Sequence, residues 1–212
     1  MSQPNDPIEE ANRLIALYRT NLLDSEPEER FDRITRLAAQ VFSVKICLVS
    51  LVDKDRQWFK SKIGLETQET SLEFSFCSHA IKEPDMFVVT DASKDARFSD
   101  SPLVTMDPLV RFYAGAQLRD IEGEVLGTLC LIDSSPRELN DGQREVLRGF
   151  ADMVESEIIR ANEAKIEYRL TSSLTRISSI LSTLPDIVFV IDRELRFLLC
   201  NDHPDLPVSR LQ

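Results

Sequence analysis

The ten residues VKICLVSLVD, from Val44 to Asp53, constrain the fold most strongly. In an extended chain Cys47, Val49 and Leu51 face one way while Ile46, Leu48 and Val52 face the other. Both faces are apolar, so this stretch reads as a central strand covered on both sides. The run DKDR then reads as a turn and QWFKSK as a strand returning in a hairpin. MFVVT is a further short strand. RFYAGAQLRD and GEVLGTLCLID are two more, joined by a turn near Glu122–Gly123. Strands that follow one another as hairpins predict an antiparallel sheet with helices packed on it, an α+β class.

The helices are legible from spacing. In LLDSEPEERFDRITRLAAQVF, Ser25 and Glu28 have the spacing of a capping box, and Pro27 suits a first turn. Phe31, Ile34, Leu37, Ala38, Val41 and Phe42 then recur on one helical face. Ile8 to Leu23 predicts an earlier helix with Leu14, Leu17 and Tyr18 on its apolar side. From Asn140, about 45 residues contain no proline; Asn140 and Gln143 form a second capping box. Leu147, Ala151, Val154, Ile158 and Ala161 step by four and three, and Leu174, Ile177, Leu181 and Leu184 do so again in another register. This pattern fits a coiled-coil seam or a helix packed on the sheet. IVFVIDRELRFLLCN reads as a final hairpin.

Several function classes are disfavoured. The net charge is −11, with 36 acidic and 25 basic residues. No Lys/Arg cluster offers a grip on phosphate backbones, so no nucleic-acid partner is expected. Apolar runs fall short of the roughly 20 residues a membrane span requires, and the N-terminus does not resemble a secretory signal. Cys47, Cys77, Cys130 and Cys200 show no CxxC spacing, which predicts a reduced, cytoplasmic protein.

FSFCSHAI, Phe74 to Ile81, brings Cys77 and His79 close together. A nucleophile with its base, half a metal site, a pigment anchor and ordinary packing are all compatible with that pair. Were the segment helical, residues two apart would diverge by about 200°, and Cys-x-His with no second pair is a poor zinc set. Pocket lining is the favoured reading, with Phe74, Phe76 and Ile81 packing around it. The 20 residues DASKDARFSDSPLVTMDPLV read as an ordered lid anchored by Phe98, Leu103, Val104 and Leu109. Asp91 would cap or turn its start. Arg111 could bind an anionic ligand or an aspartate of the lid. Trp58 could stack on a ligand or pack in its hairpin. Ala114-Gly115-Ala116 would leave room beside the sheet for a ligand or a close helix, and Tyr113 stands next to it.

Together, the blocks LLDSEPEERFDRITRLAAQVF, LVSLVDKDRQWFKSKIGL, FSFCSHAI, RFYAGAQL and LGTLCLID resemble, in order and spacing, the GAF domains of bacterial signalling proteins of the sensor-kinase and diguanylate-cyclase type. LPDIVFVIDRELRFLLCN resembles the first two strands of a PAS domain. The resemblance implies a six-stranded antiparallel sheet with helices on both faces and a long signalling helix. It divides the chain into an N-terminal helical segment (1–20), a GAF domain (21–162), a helical linker (163–183) and an incomplete PAS-like hairpin (184–212).

GAF domains bind small molecules, pigments or metals, or mediate dimerisation. This sequence lacks the Asn-Lys pair of cyclic-nucleotide-binding members. Ser78 also separates Cys77 from His79, unlike the adjacent Cys-His of bilin-binding members. Members that reduce free methionine sulfoxide use more than one cysteine, and Cys77 has no obvious partner when Cys47 and Cys130 belong to strands.

The resulting expectation is a non-enzymatic sensory module, a homodimer that binds an unidentified small molecule and signals to an output domain or partner. Its pocket would be drawn from Trp58, Phe76, Cys77, His79, Asp91, Phe98, Arg111 and Tyr113, with no metal and no assigned cofactor. A thiol enzyme using Cys77, of the methionine sulfoxide reductase kind, is the alternative.

Overall fold

The computed structural model describes residues 6–181, 189–191 and 197–200. Helix α1 (Pro7–Thr20) starts where Asp6 accepts a hydrogen bond from the Ile8 amide at 3.0 Å, with Pro7 at its first position. It stops at Asn21, whose left-handed backbone (φ 54°) closes the helix. Helix α2 (Glu29–Phe42) follows, then β1 (Ile46–Val52), β2 (Arg56–Ile63) and β3 (Glu69–Ser71). A five-residue helix α3 (Phe76–Ala80) leads to β4 (Met86–Val89). A one-turn 3-10 helix (Ala92–Lys94) and the short α4 (Pro102–Thr105) precede β5 (Phe112–Arg119) and β6 (Val125–Asp133). Helix α5 (Asp141–Leu181) comes next, and β7 (Phe189–Ile191) pairs antiparallel with β8 (Phe197–Cys200).

The six-stranded sheet has the order β3-β2-β1-β6-β5-β4, with every pairing antiparallel. β1 sits between β2 and β6 and is buried along its whole length, as its doubly apolar sequence requires. Its odd-numbered apolar side chains join α1, α2 and the first part of α5 in one core: Leu17, Phe31, Ile34, Leu147, Ala151 and Val154 meet Cys47, Val49 and Leu51. Its other face, Ile46, Leu48 and Val52, joins Phe76, Phe98, Val104 and Val110. One compact unit extends to Asn162 and includes α1; residues from Glu163 onward form a second.

Several expectations change. Ser25 does not cap α2. Its hydroxyl donates to the Leu22 carbonyl and accepts from the Lys60 ammonium, each at 2.6–2.7 Å, so α2 begins only after Glu28, without a side-chain cap. Leu37 and Val41 are exposed, because α2 turns Phe31, Ile34, Thr35, Ala38, Ala39 and Phe42 inward and leaves those two outside the stripe. The second capping box does form: the Asn140 amide donates to Gln143 Oε1 at 3.0 Å and the Gln143 amide to Asn140 Oδ1 at 2.8 Å. Leu147, Ala151, Val154 and Ile158 are buried on this chain's own sheet, so they form a core stripe. Leu174 and Ile177 are exposed, whereas Leu184 lies outside the described residues.

Candidate functional site

A cavity of about 80 Å³ lies on the α3 side of the sheet. Strands β1, β2, β5 and β6 supply Leu48, Gln57, Phe59, Tyr113 and Ile132. Helix α3 adds Phe76 and Cys77, and the 101–110 segment adds Leu103, Pro108 and Val110. No lysine, arginine, histidine or carboxylate side chain lines it.

Local hydrogen bonds place α3 over this floor. Ser75 caps the helix by accepting from the Ser78 amide at 3.1 Å, and its hydroxyl donates to Gln57 Oε1 at 2.7 Å. Gln57 in turn donates to Thr70 Oγ1 at 2.6 Å. At the other end, Gln117 Nε2 donates to the carbonyls of Ala80 (3.1 Å) and Glu83 (2.5 Å). Both glutamines lie on strands of the sheet, Gln57 on β2 and Gln117 on β5. Here both are buried because each satisfies an α3 terminus.

Cys77 is the chemical centre of this wall. Its sulfur lies 3.9 Å from that of Cys130 on β6 and accepts from the Tyr113 hydroxyl at 3.4 Å. Thr128 Oγ1 lies 3.5 Å from the Tyr113 oxygen. The Cys130 thiol leads the groups that draw Cys77 below the ordinary thiol range; Thr128, Tyr113 and Ser50 assist, and burial opposes. Cys130 is pushed well up, first by Cys77 and then by burial. Tyr113 is likewise raised well above the phenol range, mainly by burial, and stays a donor. Cys47 faces the helices instead, where burial pushes its thiol up to about 12. The partner that Cys77 lacks on a reading of spacing is therefore Cys130. The register settles it: Cys130 pairs with Leu48 and Gly115, which puts its side chain on the α3 face.

The other candidate residues scatter. Phe76 stacks between Phe98 (centroids 4.1 Å apart) and Tyr113 (5.2 Å). His79 diverges from Cys77, as a helix dictates, and meets the edge of Phe98 at 5.0 Å. Burial, then Arg97 and Lys82, hold its pKa below the usual imidazole value. Trp58 is on the opposite face: β2 turns it toward the helix core, where Arg56 lies 5.5 Å over its ring. Asp91 caps the 3-10 helix by accepting from the Ser93 amide, and it pairs with Lys94. The Arg111 side chain is tied to the backbone of the 91–110 segment: its Nη1 donates to the Val104 and Val110 carbonyls at 2.8 and 3.0 Å. Phe98 and Val104 anchor the 91–110 segment, but Leu109, at φ 57°, is exposed and Val110 is buried instead. The room beside Ala114-Gly115-Ala116 is taken by the Tyr113 ring of the same strand. Among the described residues, no cluster of three or more His, Cys, Asp or Glu is placed to hold a metal, and no helix is long and apolar enough to cross a membrane.

Known proteins share this architecture. The GAF domain of a phosphoenolpyruvate-protein phosphotransferase from Acinetobacter superposes with a TM-score of 0.51 at 15% identity, covering 72% of this chain and 93% of that one. Free methionine-R-sulfoxide reductase from Neisseria meningitidis gives 0.53 at 14% identity, with 76% and 96% covered. The PixJ GAF domain of Thermosynechococcus elongatus gives 0.53 at 13%, with 82% and 98% covered. At such identities the likeness concerns the fold alone.

A cyclic di-GMP phosphodiesterase of Pseudomonas aeruginosa is 40% identical over 159 residues, which is 74% of this chain and 27% of that protein. The chain thus spans about a quarter of the length of the curated relative it matches. A relative named as an enzyme overturns the expectation of a non-enzymatic module. Residues 26–158 match the GAF domain model, and with the six-stranded sheet and its two helical layers this chain belongs to the GAF domain family.

Proposed function

We propose that this chain is a sensory GAF module whose occupancy regulates cyclic di-GMP turnover. The observation that carries the reading is the double use of β5 and β6: they line the apolar cavity on one face and seat α5 on the other. A ligand that presses on Tyr113 or Ile132 presses on strands whose alternate residues hold Leu147, Ala151 and Val154. The 40% identity to the Pseudomonas phosphodiesterase supplies the output class. The lining has no lysine, arginine, histidine or carboxylate side chain, so an anionic ligand would lose its hydration without a partner. The ligand is therefore small and not anionic, held by apolar contact with Gln57 and Tyr113 as its polar neighbours. Exposed Leu170, Leu174 and Ile177 on α5 support a homodimer through that part of the helix.

Native and denaturing mass spectra of the purified chain test the ligand claim, with acetone and isopropanol, small enough for a cavity of about 80 Å³, added as probes in thermal melts. A bound mass lost on denaturation, or a rise in Tm that Val110→Trp abolishes, is expected. A bare native mass together with no probe response overturns it. For the dimer, sedimentation should show concentration-dependent self-association; a monomer at every concentration refutes that part.

A further inference from the structure

We propose that Cys77 and Cys130 are a redox-active dithiol that small hydroperoxides oxidise, through the cavity, to an intramolecular disulfide. This inference stands apart from the identity of any ligand. Three geometric features meet at the pair. The sulfurs are 3.9 Å apart on different elements, α3 and β6. Cys77 is itself part of the cavity wall. The Tyr113 hydroxyl, backed by Thr128, points a donor at the Cys77 sulfur.

The cavity volume selects the oxidant. At about 80 Å³ it offers space for two to three waters, taking about 30 Å³ for each. Hydrogen peroxide or a short alkyl hydroperoxide fits, whereas bulky aromatic disulfide reagents do not. Cys77 is the attacking sulfur, because it lines the cavity and its neighbours donate to it. Cys130 is wholly buried in the central strand and is reached only by Cys77.

The chemistry balances in two steps. The Cys77 thiolate attacks one oxygen of the hydroperoxide. A sulfur–oxygen bond forms, the oxygen–oxygen bond breaks, and the departing alkoxide or hydroxide takes up the proton that Cys77 released. Cys77 is then a sulfenic acid, oxidised by two electrons. The Cys130 sulfur attacks the Cys77 sulfur, the sulfur–oxygen bond breaks, and hydroxide leaves as water with the Cys130 proton. In sum, two thiols and one hydroperoxide give a disulfide, an alcohol or water, and a further water.

Closing the bond brings the sulfurs from 3.9 Å to about 2.05 Å. Cys130 is held by ladders to β1 and β5, so α3 makes most of the movement. Phe76 travels with it and reshapes the cavity, and Tyr113 loses its thiol acceptor.

The experiment treats the reduced full chain with one equivalent of hydrogen peroxide, then maps peptides without reduction. A loss of two hydrogens and a Cys77–Cys130 linked peptide are expected, reversed by dithiothreitol. Cys130→Ser should stop at a sulfenic acid, seen as one added oxygen on the Cys77 peptide and captured by dimedone only once the protein is unfolded, and native protein should resist an aromatic disulfide reagent at this pair. An unchanged mass overturns the proposal. So does oxygen addition without linkage, or a link through Cys47 or Cys200. The wild-type peptide map decides even if a serine variant fails to fold.

Discussion

The ring of Tyr113 lies back across Gly115, two residues along its own strand. A Cβ built on Gly115 would come within 2.8 Å of the ring carbon Cζ and closer still to the hydroxyl oxygen. Tyr113 therefore owes its position to the missing side chain. Gly115→Ala should push the phenol away from Cys77 and cost about 1–3 kcal/mol, read from urea unfolding. In a Tyr113→Ala background the same substitution should cost much less. Equal costs in both backgrounds would disprove the coupling.

Gly127 presents a harder obstacle. Its Cβ would meet the backbone of β1, 2.9 Å from the Leu51 Cα and nearer to the Ser50 carbonyl oxygen. Backbone in the middle of a sheet cannot step aside as a ring can. Gly127→Ala should destabilise the fold by about 3 kcal/mol or more, with a urea midpoint lower than that of Gly115→Ala. A midpoint at or above that of Gly115→Ala would contradict this ordering.

Lys60 links α2 to the sheet from a fully buried position, with its ammonium 2.7 Å from Glu28 Oε1 and 2.6 Å from the Glu26 carbonyl. Burial alone would raise the Glu28 pKa, but Lys60 and Arg30 outweigh it and the net shift is downward. A carboxyl lowered in the folded state adds stability above its unfolded pKa of about 4.3, and that stability is lost as pH falls through the folded value. Lys60→Met should cost about 2–4 kcal/mol at pH 7. The gap to wild type should narrow at pH 3. Denaturant midpoints at the two pH values check both statements, and a gap that widens in acid would refute the second.

Arg111 ties down the cavity wall through the Val104 and Val110 carbonyls. Arg111→Met should let the Val104 and Val110 amides exchange with deuterium about tenfold faster, the loss of one to two ordinary hydrogen bonds. Amides of β5 should keep their wild-type rates. Faster exchange across the whole sheet would instead mean a global role for the arginine.

Periodicity made the strands of the central sheet legible, because their apolar residues alternate or run continuously and little else suits such patterns. β3 was invisible: Glu69–Ser71 is three residues long, has no apolar side chain and exists only by pairing with Arg56–Trp58. Local motifs were less reliable than periods. Asn140/Gln143 and Ser25/Glu28 share one capping pattern, yet only the first forms, since a buried lysine claims the Ser25 hydroxyl. Of the candidate site, Phe76, Cys77 and Tyr113 do meet at the cavity. Trp58 does not, because which face of β2 looks at the cavity depends on pairing, and β1 and β2 shift register between Val49 and Ser50. Cys130, set aside as a partner because it belongs to a strand, meets Cys77 for the same reason. Its nearness to Cys77 is a product of strand register and of two glutamines that hold α3 from either end.

The alternation along β5 sets the distance over which this domain can act. Phe112, Ala114 and Ala116 belong to the helical core, while Tyr113, between the first two, belongs to the cavity wall. A single peptide unit separates the residue that feels the cavity from the residue that feels Leu147 and Ala151. The sheet is a partition one chain thick, and whatever tilts Tyr113 must twist the backbone that Ala114 shares. Speech between the two rooms needs no corridor.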